Sequence, residues 1–291
     1  MKISLVILAM LGVLSPCFAL AETDWLQVDD AIGKKATVVG SVHRYGLPRA
    51  DLQVTLDGVT IKPALALGGW IAFEPSRDGA MMMGDLVLTE TELNPVMRSL
   101  LSNGVVITAV HNHLLRATPA PFYMHICSYG DPLKLAKVVR NALSNTKIPF
   151  APSVVAVGEL PKIEFNTAQV DEILDARGKN NGGVYQFSIP LAETIKADGE
   201  IISPAMGVAH VINFQPTGEG KAAVAGDMVV TAKGVEPLLK TLQSSGIEVT
   251  ALHSHMLDEE PRLLFIHFWS NADAILLAKG LKAALDKSSG H

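Results

Sequence analysis

Two hydrophobic patterns alternate along this chain, and the whole series then occurs a second time. Apolar stretches rich in β-branched and aromatic residues predict strands, as at 247–250 and 263–269. Apolar residues at helical spacing predict helices, as at 93–103 and 131–144, where Asn94-Pro95 and Asp131-Pro132 are typical of a helix start. The series predicts an α+β fold in which helices cover a mixed, antiparallel-rich sheet.

The full prediction gives each half a similar order of elements. The predicted helices are 25–36, 93–103, 131–144, 170–177, 237–245 and 271–287. The predicted strands are 36–42, 52–56, 70–73, 81–88, 105–113, 121–128, 184–189, 193–197, 208–214, 222–231, 247–250 and 263–269. Asp57-Gly58 indicates a hairpin turn beside the second strand.

A direct comparison of the two halves shows an internal duplication. Residues 84–113 and 226–255 share twelve of thirty positions, including Gly84, Asp85, His111 and His113 of the first segment. We therefore predict two tandem repeat domains, 22–150 and 151–291, with a proline-containing junction at 145–165. A length of 291 residues is ample for two domains of ordinary size.

The beginning of the chain has the composition of an export signal. Lys2 is followed by an apolar core and by Ala19-Leu20-Ala21, so residues 1–21 are predicted to be a signal peptide. An apolar core of about twelve residues is shorter than the roughly twenty that a membrane-spanning helix needs. We expect a periplasmic or secreted protein. Lipoprotein anchoring at Cys17 is disfavoured because Pro16 directly precedes it.

The overall charge excludes one class of partner. The formal net charge is -5 and aromatic residues make up 5% of the chain, with no run of basic residues longer than two. A phosphate-tracking basic face is therefore absent from the sequence, and no nucleic-acid partner is expected.

Three histidines near the end of the second repeat have the spacing of a metal site. His253 and His255 are two residues apart on a predicted strand and so project to one face, and His267 lies on the next strand. Three imidazoles with an open fourth position are typical of catalytic zinc. The sequence predicts a divalent metal cofactor here, with zinc the favoured ion.

The first repeat contains the same three residues at the same intervals. His111, His113 and His125 stand where the second repeat has its three, and they are predicted ligands of a second, weaker site. The connection that follows His113 contains no acidic residue, and its Arg116 is expected to repel a cation.

Acidic residues in the second connection supply candidate catalytic groups. Glu260, or alternatively Glu259, could be a fourth ligand or a general base acting on metal-bound water, whose pKa zinc can lower to about 7. Arg262 could orient an anionic substrate. A solvated acidic turn is the alternative for both glutamates. Asp85 and Asp227 could be turn caps or partners that orient a histidine.

Other residues of chemical interest have simpler interpretations. His43 and His210 have no histidine at the equivalent position of the other repeat and are expected to be structural. The Met81-Met82-Met83 run alternates faces on a strand, which favours core packing over copper binding. Cys127 is expected to be a small buried residue.

These motifs resemble a known family. Gly-Asp-Leu-Val-Leu-Thr at 84–89, Asn-Pro-Val-Met at 94–97, Thr-Ala-Val-His-Asn-His-Leu-Leu at 108–115 and Tyr-Met-His-Ile at 123–126 are similar to the LppY/LpqO family of exported bacterial proteins. The resemblance implies export and tandem copies of a domain of unknown function. The first repeat departs from it at 114–119, where a Glu-Pro turn like that at 260–261 is expected.

A more distant similarity is to acetolactate decarboxylase and related zinc ester hydrolases, which bind zinc through His-x-His and a later histidine. Three hypotheses stay open from the sequence. The first is a zinc-dependent hydrolase or lyase of a small carbonyl or ester substrate. The second is a non-catalytic periplasmic metal-binding protein, and the third is a structural or partner-binding module.

Overall fold

The structure is a computed structural model that describes residues 23–77, 79–150 and 160–288. The predicted signal peptide and Cys17 lie outside the described residues. Among the helices that are described, none is long and apolar enough to span a membrane.

In the described part of the chain, each repeat shows eight strands and at least three helices. The first repeat consists of α1 (Trp25–Ile32), β1 (Thr37–Val39), β2 (Val42–Pro48), β3 (Thr55–Leu56), β4 (Val59–Thr60), α2 (Pro63–Ala66), β5 (Gly68–Ser76), β6 (Gly79–Leu88), α3 (Glu90–Leu101), β7 (Val106–His111), β8 (Phe122–Gly130) and α4 (Pro132–Leu143).

The second repeat follows nearly the same order, with a 3-10 turn at Pro204–Met206 in place of α2. It consists of α5 (Thr167–Leu174), β9 (Lys179–Asn181), β10 (Val184–Pro190), β11 (Lys196–Ala197), β12 (Glu200–Ile201), β13 (Ala209–Gly218), β14 (Lys221–Val230), α6 (Ala232–Ser244), β15 (Glu248–His253), β16 (Leu264–Asp273) and α7 (Ala274–Ser288).

Six strands of each repeat form an antiparallel sheet. The strand order is β1-β2-β5-β6-β8-β7 in the first sheet and β9-β10-β13-β14-β16-β15 in the second, the same order in equivalent strands. The predicted α+β class with two tandem copies is confirmed. In both sheets the strand that leads into the histidine motif, β7 or β15, lies at an edge.

The two sheets pack against each other, and the helices cover their outer faces. Alternate residues of β6 show why: Met82 and Leu86 pack under the helices of their own repeat, whereas Met81 and Met83 pack against residues of the second repeat, such as Phe265. Because both faces of these strands are covered, their sequences are apolar almost throughout. The result is four layers, in the order helices, sheet, sheet, helices.

The start of α3 differs from the prediction. The helix begins at Glu90, not near Leu93, because Thr89 and Glu92 form a capping box in which the Glu92 carboxylate accepts a hydrogen bond from the Thr89 amide at 2.9 Å. Pro95 therefore lies inside the helix. The equivalent helix α6 likewise begins at Ala232, five residues before Pro237.

Each repeat extends an arm over the sheet of the other. Arm 1 (residues 49–67, containing β3, β4 and α2) lies on the second sheet, and arm 2 (residues 191–208, containing β11, β12 and the 3-10 turn) lies on the first. Both hairpins turn at an Asp-Gly pair, where Asp57 and Asp198 have positive φ angles of 48° and 50°. The turn predicted at Asp57-Gly58 is therefore present.

Equivalent hydrogen bonds fix the two arms. The Gln186 side chain donates to the carbonyl of Ala64 at 2.6 Å, and at the equivalent position the Arg44 guanidinium donates to the carbonyl of Ala205 at 2.7 Å. The backbone amide of arm 1 at Lys62 donates to the side chain of Gln215 at 2.8 Å.

Arm 2 repeats that last contact, since the amide of Ser203 donates to Glu74, the residue equivalent to Gln215, at 3.2 Å. Such pairing indicates an approximate twofold axis between the repeats. The position of each repeat is therefore set by the side chains of the other.

Two equivalent glycines generate a prediction about this packing. An added Cβ would lie 1.9 Å from the Val211 carbonyl oxygen at Gly226, but 3.0 Å from the Trp70 carbonyl oxygen at Gly84. Gly226→Ala must displace the backbone of β13 and should lower the free energy of unfolding by more than ~3 kcal/mol. Gly84→Ala should lower it by about 1–2 kcal/mol. Urea titrations of the two variants measure these free energies of unfolding. Equal decreases in both variants would contradict the difference in packing at the two glycines.

Candidate metal centre

Six histidines, three from each repeat, meet where the two sheets face each other. His111 stacks against His253 with ring centroids 3.6 Å apart. The centroids of His113 and His267 are 3.5 Å apart, and those of His125 and His255 are 3.7 Å apart. The structure thus brings together all six predicted ligands, but as one cluster shared between the repeats.

The three ring pairs obey the approximate twofold symmetry of the arms. Exchanging the repeats maps the central pair, His111 and His253, onto itself, because these residues are equivalent. The same exchange converts the pair of His113 with His267 into the pair of His255 with His125. The cluster therefore lies on the axis that relates the two repeats.

A bulge in each motif strand aims the histidines at the axis. The register between β7 and β8 shifts between Ile107 and Ala109, and the equivalent shift in the second sheet lies between Val249 and Ala251. Beyond the bulge, Ala109 pairs with His125 and His111 with Tyr123, so these side chains share the inner face. The inserted residues are Thr108 and the equivalent threonine of the second repeat.

The second histidine of each motif leaves the strand. β7 ends at His111 and β15 ends at His253, so His113 and His255 stand in the following connections. The prediction that each His-x-His pair lies within a strand was therefore wrong by two residues. The rings still converge, and the Nε2 atoms of His111 and His113 are 2.7 Å apart.

Five buried ring nitrogens of the cluster have no hydrogen-bond partner among the described residues. Such atoms are Nδ1 of His111 and Nε2 of His125, His253, His255 and His267. Buried polar atoms are almost always hydrogen-bonded, and leaving one without a partner costs about 1–3 kcal/mol. Five such atoms in one cluster indicate a ligand that accepts nitrogen lone pairs.

Ligand nitrogens fall into two overlapping groups within metal-binding reach. One nitrogen each from His111, His253, His255 and His267 lie within 4.8 Å of one another, and the same holds for His111, His113 and His125. The larger group contains the complete second-repeat motif together with one histidine of the first repeat. Since His111 belongs to both groups, the two cannot be filled independently.

Five imidazoles of the cluster are held in the neutral form. Burial, with the neighbouring imidazoles of His253 and His267, lowers the pKa of His111 to about 2. Burial lowers the pKa of His253 to about 4, and it holds the pKa values of His113, His125 and His255 well below the usual range. A neutral imidazole is the form that binds metal ions.

Each repeat places an aspartate beside its third histidine. Asp227 is the cross-strand neighbour of His267, and its carboxylate lies 2.5 Å from Nδ1, which leaves Nε2 free for a ligand. Asp85 is likewise the cross-strand neighbour of His125, and its Oδ1 lies 3.8 Å from Nε2 of that histidine. Of the two readings of these aspartates, this geometry favours partners that orient a histidine over turn caps. Burial and the nearby Asp227 raise the pKa of Asp85 well above its usual value.

Two aromatic rings outside the predicted set support the cluster. Tyr123 stacks on His113 with centroids 3.4 Å apart, and the equivalent Phe265 stacks on His255 at 3.5 Å. The Tyr123 hydroxyl donates to the carbonyl of Ala66 in arm 1 at 2.6 Å. Both aromatic residues lie two positions before the third histidine of their repeat, which was a signal in the sequence that no prediction used.

Two of the three predicted catalytic residues, Glu259 and Arg262, form hydrogen bonds within their own connection. The Glu259 carboxylate is buried and accepts from the Leu263 amide at 2.9 Å. The Arg262 guanidinium donates to the carbonyls of Met256 at 3.0 Å and Leu257 at 2.5 Å. Glu260 is exposed, and its backbone pairs with that of Lys196 in arm 2. These contacts give Glu259 and Arg262 a role in shaping the connection.

Arg116 in the first connection is also occupied. Its guanidinium binds the carboxylates of Asp57 at 3.0 Å and Glu248 at 2.7 Å, which joins arm 1 to β15 of the second repeat. The expectation that Arg116 repels a cation at the first site loses its basis, because two carboxylates balance this charge.

A cavity of about 1080 Å³ lies beside the cluster, between the two repeats. His113, His267, Asp85 and Asp227 form part of its wall, so one side of the histidine cluster is accessible from it. Its apolar wall includes Trp70 and several small residues of α2. A space of this size and composition is typical of small-molecule sites.

The remaining candidates lie apart from the six-histidine cluster. His43 stacks on Trp25 at 3.7 Å, and Nδ1 of His210 accepts a hydrogen bond from the Val229 amide at 3.0 Å. Cys127 is half-buried, and burial raises the pKa of its thiol to about 11, which disfavours the nucleophilic thiolate.

The comparisons with known proteins identify the family of both repeats but assign no activity. The family described as "Domain of Unknown Function (DUF1259)" matches the chain twice, over residues 26–145 and 168–287. A search of curated proteins finds no match. One similar solved structure is described as "Crystal structure of a trimeric bacterial microcompartment shell protein PduB". It has 13% identity, covers 87% of this chain and 89% of that chain, and gives a TM-score of 0.22, too low to carry an argument.

The buried His210 generates a prediction about acid stability. Burial lowers its pKa from 6.5 to about 4, so between these values the unfolded chain binds a proton that the folded chain does not. The stability contribution is complete above pH 6.5 and is lost as the pH falls through 4.

His210→Asn keeps an acceptor for the Val229 amide but does not titrate. In urea titrations of metal-free protein, unfolding free energy should fall with decreasing pH more steeply in the wild type than in the variant, by up to ~1.4 kcal/mol per pH unit. The six clustered histidines contribute equally to both proteins. Identical slopes would show that His210 is not buried in its neutral form.

Proposed function

The chain belongs to this family of domains of unknown function, in two tandem copies, and we propose that it binds a transition-metal ion between them. The ligands are His253, His255 and His267 of the second repeat, completed by His111 of the first. Zinc is the favoured ion, since neutral imidazoles are its commonest nitrogen ligands and four of them suit its tetrahedral preference.

One observation carries the proposal: buried imidazole nitrogens converge without hydrogen-bond partners among the described residues. A purely structural cluster of histidines would pair these nitrogens with donors or acceptors. A metal ion bound to them would remove the cost of burying unpaired lone pairs. The Asp227 carboxylate at Nδ1 of His267 supports this reading, because metal-bound histidines generally donate their other N–H to such a partner.

A hydrolase or lyase acting on a small carbonyl or ester substrate is the second candidate. The observation that favours it is the cavity, whose wall includes His267 and Asp227 of the proposed centre. In a centre held by the three histidines of the second repeat without His111, the fourth position is left for water. A metal-bound water would then face a space large enough for an organic substrate.

Export to the periplasm or the medium remains part of the proposal through the composition of residues 1–21. Similarity of the two motifs to the LppY/LpqO family supports the same placement. A non-catalytic role in metal buffering or delivery would use the same histidines. The two roles differ in whether His111 or water occupies the fourth coordination position.

Metal content of purified protein tests the centre. After loading with zinc and gel filtration, we expect about one tightly held ion per chain by elemental analysis, because the shared His111 prevents two complete sites. His255→Ala removes one ligand and should lower the apparent zinc affinity at least about tenfold. Zinc should also raise the melting temperature of the wild type but not of this variant.

His43→Ala is the matched control, because His43 is a histidine of the same chain outside the cluster. It should keep the zinc stoichiometry and affinity of the wild type. Circular dichroism must show that both variants are folded. A folded His255→Ala protein with unchanged zinc affinity would exclude the proposed centre.

Catalysis has a separate test. The enzyme candidate predicts that a panel of short acyl esters is hydrolysed by zinc-loaded protein, that chelation abolishes the activity and that added zinc restores it. His267→Ala should reduce the rate by at least about a hundredfold, while the His43→Ala control keeps it. Hydrolysis that is indifferent to chelator would remove the metal-dependent enzyme from consideration.

A further inference from the structure

The cavity between the repeats contains a cationic side chain without an ion-pair partner. Arg44 on β2 lies on its wall, and burial lowers the pKa of the guanidinium only to about 10, so it is charged at neutral pH. Nη1 donates to the carbonyl of Ala205, and the guanidinium carbon lies 3.8 Å above the ring centre of Trp70. Asp85 acts on Arg44 through space, but within residues 23–77, 79–150 and 160–288 no carboxylate forms an ion pair with it.

The architecture does not require this charge. Gln186 occupies the equivalent position of the second repeat, and its amide makes the same hydrogen bond to the other arm that Arg44 makes. A neutral residue is therefore sufficient to hold an arm. Arg44 is half-buried, and partly removing a cation from water without a contacting counter-ion has a cost that an anionic ligand beside it would offset.

We propose that the cavity binds a small organic anion, with Arg44 holding its carboxylate or phosphate group and its apolar body lying towards His113 and His267. Such an anion would be the substrate class of the proposed metal centre. Only the reaction of the bound anion rests on the proposed function; its binding does not. The guanidinium presents N–H groups in a planar fork that suits both oxyanions.

The rest of the lining fits such a ligand. Among the described residues, the cavity wall includes three further basic residues, Lys62, Arg177 and Lys179, against two acids, Asp85 and Asp227. Both aspartates lie beside histidines of the cluster, so they do not compete for Arg44 at contact distance. Trp70 holds the guanidinium flat and adds apolar surface next to it.

The size of the cavity limits the ligand to a small molecule. A volume of about 1080 Å³ is slightly above the roughly 300–1,000 Å³ that small-molecule sites usually have. The cavity is partly open to solvent, so a ligand can enter without unfolding of either repeat. An organic acid or phosphate ester with a short apolar tail fits this space.

Isothermal titration calorimetry with three probes tests the proposal. The probes are hexanoate, phenyl phosphate and the neutral hexanamide, each added to metal-stripped and to zinc-loaded protein. We expect at least one of the two anions to bind and hexanamide not to bind. Whichever anion binds identifies the charged group as a carboxylate or a phosphate.

Arg44→Gln is the decisive variant, because it installs the residue that holds the equivalent arm and removes only the charge. It should weaken anion binding at least tenfold while its melting temperature stays within a few degrees of the wild type. Lys137→Gln removes the same charge from the exposed face of α4, outside the cavity, and should leave binding unchanged.

Failure of both anions to bind the wild type overturns the proposal, as does equal binding to the Arg44→Gln protein. These outcomes are separable from the metal result. Protein that binds zinc but neither anion rejects the anion site alone. Protein that binds an anion through Arg44 in the absence of any metal binding keeps the anion site and rejects the proposed function.

Discussion

The burial of six imidazoles between two sheets is the constraint on which the rest of this structure depends. Removing them from water is tolerable only if they stay neutral and if their lone pairs find a partner. The stacked ring pairs supply apolar contact, and the Asp227 carboxylate lies against Nδ1 of His267. Five of the converging nitrogens have no hydrogen-bond partner among the residues that the structure describes, and this is the reason for proposing a metal ion at the axis between the repeats.

The arms explain why the cluster forms only in the assembled pair. Each arm crosses to the opposite sheet and is held there by side chains such as Gln186 and Gln215. The inner face of each sheet would otherwise expose residues such as Met83 and Phe265 to water. Packing of the repeats and completion of the histidine cluster are therefore the same event, and either repeat alone would hold only three of the six histidines.

The features that could be predicted from the sequence are those that depend on local contacts. The duplication, the in-register histidines and the alternating strands were readable because each follows from spacing along one chain segment. The capping box of Thr89 and Glu92 was also readable but was overlooked in favour of Pro95. The pairing of His113 with His267 could not be deduced, because no pattern within one repeat reports which surface the other repeat covers. For the same reason the hydrogen bonds of Glu259 and Arg262 within their connection were invisible.

Because both repeats belong to one polypeptide, the cavity can have different residues at equivalent positions, which a symmetric pair of separate chains cannot have. A symmetric homodimer repeats every residue of its interface, so it would present either two arginines or two glutamines at this position. One polypeptide carrying both halves can place arginine at 44 and glutamine at 186. The same freedom gives tyrosine at 123 and phenylalanine at 265. The two ends of the cavity are therefore chemically different, and a bound molecule has a preferred orientation.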